Sequence, residues 1–163
     1  MKLTTKDIAV TGMMIAALET AKLALSYVPN VELVTLLIIL FSLFFGNKIF
    51  YAIAAFVLIE GCIYGFGIWW VIYVYIWPLL AVFVRIFRNQ KSVWFWSIVS
   101  AVFGLCFGAL SSITYLFIGG AKMAFAWWVS GIPFDVIHCI SNFVLCLVLF
   151  IPLRGAMERI AKI

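Results

Sequence analysis

Three polar side chains interrupt one of the most apolar parts of this sequence. In SGIPFDVIHCISNF, residues 130–143, Asp135, His138 and Asn142 follow a Gly-Ile-Pro step and precede the run VLCLVLFIPL. An acid, an amide and the chain's one histidine so close together could do either of two things. They could move protons as a general acid–base set, or they could orient a bound solute through directional hydrogen bonds. On a helix, at about 100° per residue, the three fall within about 60° of one another, and Cys139 and Cys146 extend the stripe. Metal chemistry is not expected. One histidine and four cysteines (Cys62, Cys106, Cys139, Cys146) with no CxxC pair supply no ligand set, and the thiols read as apolar packing groups. No GxxxxGK[ST] loop is present, so ATP hydrolysis by this chain is not expected, nor is a bound cofactor. No Ser-His-Asp arrangement stands out either.

The elements that must carry these residues follow from composition. Of 163 residues, 67% are hydrophobic and 10% charged, whereas soluble domains are about half apolar and a quarter charged. No soluble fold of this length could hide so much apolar surface, so the bilayer must be the solvent for most of it. Six apolar blocks run through residues Ile8–Val28, Val31–Phe45, Ile49–Phe66, Ile68–Phe87, Val93–Ile118 and Pro133–Leu153. Turn chemistry separates them: Pro29-Asn30, Gly46 to Lys48, Gly65 to Gly67, Arg88 to Ser92 and Gly119 to Lys122. A bilayer crossing takes about 20 helical residues, so the second block is short and the fifth can tilt. The blocks are continuously apolar rather than alternating, which excludes a β-barrel. The expected fold is an all-α integral membrane protein, residues 1–163 forming a single domain of six transmembrane helices.

Orientation follows from basic residues. With a cytoplasmic N-terminus, Lys2, Lys6, Lys48, Arg85, Arg88, Lys91, Arg154, Arg159 and Lys162 lie on cytoplasmic flanks, and of the 11 Lys and Arg only Lys22 and Lys122 do not. The positive-inside rule then puts both termini in the cytoplasm, and the net charge of +5 is topological rather than a sign of nucleic-acid binding. Glu19 and Lys22 argue against the first block being a cleaved signal peptide.

In this topology the costly side chains share the outer half of the membrane. Glu19, Lys22 and Glu60 lie there, Glu32 opens the second block at the outer surface, and Trp69, Trp70 and Tyr73 start the fourth block from outside. Ser111, Ser112, Thr114 and Tyr115 are in the outer half of the fifth, and Trp127 and Trp128 are expected in a loop before the sixth. Buried ionisable groups in lipid must face protein or water. The expected binding set is therefore Glu60, Trp69, Trp70, Tyr73, Trp127, Trp128, Asp135, His138 and Asn142, lining a cup open to the outside. Duller readings compete residue by residue. Any of the outer tryptophans could form an interfacial belt, and Trp94 and Trp96 read as belt at the inner surface. Glu19 and Lys22 could neutralise each other at i,i+3. His138 could bond a backbone carbonyl, and Asp135 could serve the helix start after Pro133. Small residues form a second pattern: Gly12, Ala16 and Ala17 in the first block could be a docking face, whereas Gly61/Gly65 and Gly104/Gly108 read as internal packing.

With TGMMIAAL in the first block, VPNVELVTLLIILFSLFFG across the first two and PFDVIHCISNFVLCLVLFIPL in the last, the chain resembles the S components of energy-coupling factor (ECF) transporters. The resemblance spans essentially the whole chain. It implies a substrate-specific subunit that captures a vitamin or related micronutrient outside the cell. It also implies docking, through an AxxxA-like face matched here by Gly12 and Ala16, onto a transmembrane coupling (T) subunit bearing two ATPase subunits. Gly12 replaces the first Ala of that pattern and keeps the position small. The acids and indoles of the cup favour a ring-bearing solute with hydrogen-bond donors or positive character: a pterin, deazapurine, pyridoxine-like or thiamin-like compound, with a corrinoid still open. The alternative is a small integral-membrane enzyme using Asp135, His138 and Glu60 on a lipid or isoprenoid; a purely structural subunit is a third reading.

Overall fold

The computed structural model describes residues 4–162, and Lys2 of the basic flank lies outside them. Among the described residues helices are the one kind of regular element, with no strand: α1 (Thr5–Leu25), α2 (Val34–Phe45), α3 (Lys48–Tyr64), α4 (Ile68–Ile86) and a final stretch, Val93–Lys162. That last stretch is two helices. Gly119 (φ −134°) and Gly120 (φ 72°, ψ −173°) leave helical geometry, and we call residues 93–118 α5 and residues 121–162 α6. Three stretches, Thr5–Leu25, Ile68–Ile86 and Val93–Ala161, are long and apolar enough to cross a membrane.

Turn chemistry explains the breaks. Asn30, Gly46, Gly65 and Gly120 all take positive φ, a region most side chains avoid and glycine enters freely. At its start α1 is closed by a capping box: the Thr4 hydroxyl accepts from the Asp7 N–H, and the Asp7 carboxylate accepts from the Thr4 N–H.

Short α2 is the axis of the molecule. Every residue from Val34 to Ser42 is buried, as expected for a helix apolar on all faces. The other helices pack around it. At one end of the bundle Asp7 pairs with Lys48, Arg85 lies against Gly46, and Arg154 donates to the Lys91 carbonyl. At the other end lie Lys22, Glu32, Glu60, Asp135 and His138. The buried acids and the histidine all belong to this second end.

α5 and α6 form an antiparallel hairpin about the Gly119-Gly120 break. Tyr115 stacks on Trp127 (3.9 Å between centroids), Gly108 meets Asp135, Asn142 donates to the Ser100 carbonyl, and Trp94 meets Phe143. Close approach requires glycine here. A Cβ on Gly104 would sit 2.9 Å from the His138 carbonyl carbon and oxygen, so this small-xxx-small pair is internal packing.

Three expectations are corrected. The last helix begins at residue 121 rather than at Pro133, so Trp127 and Trp128 are helical; a proline removes one helical hydrogen bond but need not end a helix in an apolar setting. Trp96 is not an inner-surface belt residue: it is fully buried, with its indole N–H donating to the Gln90 carbonyl, while Trp94 is exposed. Lys22 forms its ion pair with Glu60 of α3, not with Glu19, whose two carboxylate oxygens are buried without a hydrogen-bond partner.

Candidate solute-binding site

Beside the polar end of α6 lies a cavity of about 400 Å³. Tyr73 and Trp77 come from α4, Phe107, Gly108 and Ser111 from α5, and Trp127, Asp135 and His138 from α6. Lys22, Asn30 and Glu32 close it from the end of α1 and the turn that follows. Its size falls near the lower end of the range of about 300–1,000 Å³ common to small-molecule sites, and its ring faces with a few polar groups match their usual chemistry.

The opening triad has three separate anchors. Asp135 is 5% exposed; its Oδ1 accepts from the Gly108 N–H at 2.9 Å, and its Oδ2 has no partner. His138 Nε2 lies 3.2 Å from Glu32 Oε1, so the histidine bonds a carboxylate rather than the backbone carbonyl expected in the duller reading. The amide of Asn142, below them, donates to Thr35 Oγ1 and the Ser100 carbonyl, both at 3.4 Å. Ser141 adds a bond of 2.7 Å to the Asn30 carbonyl. Together these contacts fasten α6 to the α1–α2 turn, to α2 and to α5, with the cavity between them.

Glu32 is held from several sides. It accepts from the Thr35 N–H at 2.8 Å and from the Thr35 hydroxyl. With His138 as a third neighbour, both of its carboxylate oxygens are engaged.

A ladder of aromatic rings runs down α4. Tyr64 meets Trp69 edge-on, Trp69 meets Tyr73 (5.4 Å), Tyr73 meets Trp77 (5.3 Å), and Trp77 tilts against Phe107 (6.1 Å). The Lys22 ammonium sits over the Tyr73, Tyr64, Trp69 and Phe56 rings at 4.8, 5.4, 5.6 and 5.9 Å. With Glu60 beside it, Lys22 occupies an aromatic cage of the kind that holds cations.

The nine expected binding residues thus take different places. Tyr73, Trp127, Asp135 and His138 line the cavity. Glu60 and Trp69 stand one layer behind, around Lys22. Trp70 donates to the Val57 carbonyl at 2.8 Å and packs on Phe66, away from the cavity wall. Trp128 is 41% exposed and meets Phe125. Asn142 lies deeper, on Thr35. On α1, Gly12 and Ala16 are exposed, whereas Ala17 is half-buried against the core.

Several lining residues were not named as binders from sequence: Asn30, Trp77, Phe107, Gly108, Ser130 and Phe134. Trp77 carried a usable signal, lying one turn below Tyr73 on the same helical face. Gly108 was legible only as a packing residue, and its bond to Asp135 depends on the crossing of α5 with α6.

No family model matches the chain, and comparison with curated proteins and with solved structures likewise found no match.

Proposed function

We propose that this chain is the substrate-binding subunit (S component) of an ECF transporter in the bacterial cytoplasmic membrane. In this reading six segments cross the bilayer, with both termini cytoplasmic and the cavity at the extracellular side. The observation that carries it is the asymmetry of the bundle. A cavity walled by rings, two carboxylates and a histidine occupies one end, basic side chains rim the other, and the buried layer between them includes Ile38, Ile39, Leu40, Ile53, Phe56 and Ile76. Such a molecule can hold a solute, and the polar groups directly below the cavity, Asn142, Thr35 and the Ser100 carbonyl, bond one another between helices.

Energy then comes from partners. The resemblance supplies a coupling subunit with two ATPases, and exposed Gly12 and Ala16 are the positions for seating this chain on it. A Cβ on Gly12 would meet nothing within 4 Å, so the face is open for a helix to approach. The cavity captures a vitamin-like solute outside, and the loaded subunit delivers it inward by toppling on the coupling subunit.

The test is copurification from native membranes with a tag on this chain. The reading expects one coupling subunit and two ATPases, lost when Gly12→Leu and Ala16→Leu are combined. A chain that purifies alone in both forms contradicts it.

A further inference from the structure

Resting on the reading of the cavity as a solute site, we infer that its solute is a neutral nitrogen heterocycle presenting N–H donors, read by Asp135, and not a fixed cation. Four of the six acids, Glu19, Glu32, Glu60 and Asp135, lie at the cavity end of the bundle. That excess invites a cationic ligand at first sight. The aromatic cage suited to a fixed cation is taken, however. The aromatic cage and Glu60 hold the chain's own Lys22 ammonium, which also lines the cavity, and Glu32 is engaged by His138 and Thr35. An incoming cation would meet the Lys22 charge in the same cavity wall, where poor screening makes like charges costly.

Of the carboxylates left without a full set of partners, Glu19 does not line the cavity and Asp135 does. Asp135 is 95% buried as the complement of its 5% exposure, and it lies in the cavity wall with Oδ2 unpartnered. Its Oδ1 retains a second lone pair beyond the bond from Gly108. Two donors on one ring edge, such as a ring N–H beside an exocyclic amine, would satisfy the carboxylate in the two-pronged way that makes such bonds strong. Tyr73, Phe107 and Trp127 provide ring faces for stacking. Trp77, whose buried indole N–H also lacks a partner, provides a donor for an acceptor on the heterocycle.

Purified full-length protein in detergent tests this with three probes read by ligand-observed NMR: 2-aminopyrimidin-4-one, pyrimidin-4-one without the amine, and 1-methylpyridinium. Wild type should prefer the first over the second by about 10- to 100-fold, the range of one charge-assisted hydrogen bond, and should not bind the third. Asp135→Asn keeps an oxygen for the Gly108 N–H and should erase the preference. Lys22→Ala empties the cage and should gain 1-methylpyridinium binding, seen also as a rise in melting temperature on adding that salt. The inference is overturned if wild type binds the pyridinium as well as the amine-bearing ring, if Asp135→Asn leaves the preference intact, or if no ring binds. A wild-type protein that ignores all three probes yet still copurifies with its coupling subunit sinks only this assignment; loss of the partners sinks the transport reading itself.

Discussion

Replacing Gly108 with alanine probes the site with one methyl group. The Cβ it would add overlaps Asp135 Oδ2 and lies 2.9 Å from Asp135 Cγ and 3.0 Å from Oδ1. Asp135 has only two side-chain torsions and is fixed on a helix held close at Gly104, so the carboxylate must swing away. Doing so breaks the bond from the Gly108 N–H. Losing a hydrogen bond to a charged group costs about 1.5–3 kcal/mol, and crowding a packed site adds about 1–3 kcal/mol. Alanine's better helix propensity returns about 1 kcal/mol. The net expectation is a loss of roughly 2–5 kcal/mol from these terms. Gly12→Ala is the internal control: open space surrounds its Cβ, so it should leave the fold unharmed. The assay is thermal unfolding of both variants in the same detergent, with solute occupancy measured alongside. Should Gly108→Ala melt with wild type and retain its solute, the packing of Asp135 on Gly108 is wrong.

Lys22→Ala strands the buried Glu60 carboxylate and should destabilise the protein by about 3–5 kcal/mol, with Glu60→Gln in the same background recovering part of the loss in thermal unfolding. Trp70→Ala should lower the melting temperature, because this indole braces α3 through the Val57 carbonyl and packs on Phe66; Trp70→Phe, which keeps a ring but loses that bond and some packing, should lower it less. The two carboxylate oxygens of Glu32 meet the Thr35 N–H and hydroxyl and His138 Nε2, so Glu32→Gln should lower the melting temperature by weakening these charge-assisted bonds. An unchanged melting temperature would contradict the contacts drawn for it.

Much of the fold was legible because lipid-scale apolar runs and glycine turns are local signals. The α4 boundaries follow directly from Gly65 to Gly67 and the Arg88 to Ser92 break, and the hairpin turn of α5 and α6 from Gly119-Gly120. Pro133 was misleading, since sequence alone weighs its missing N–H as a helix break, while the surrounding helix absorbs one lost bond. The site was legible in its chemistry but not in its walls. Asp135 and His138 stand out anywhere in an apolar segment, yet which indoles face inward depends on helix rotation. In a helix apolar on every face, such as α4 from Trp69 to Trp77, hydrophobic periodicity carries no such information. Lys22 shows the same limit: its sequence neighbour Glu19 was visible, while Glu60, on another helix, was reachable only through the fold.

Whether a solute occupies the polar end of the bundle can be weighed directly. Native mass spectrometry of the full chain, expressed in rich medium and released from detergent, should show one small non-lipid adduct on wild type that is absent or much reduced in Asp135→Asn. A bare wild-type mass, an adduct untouched by that substitution, or a lipid in its place would contradict the account.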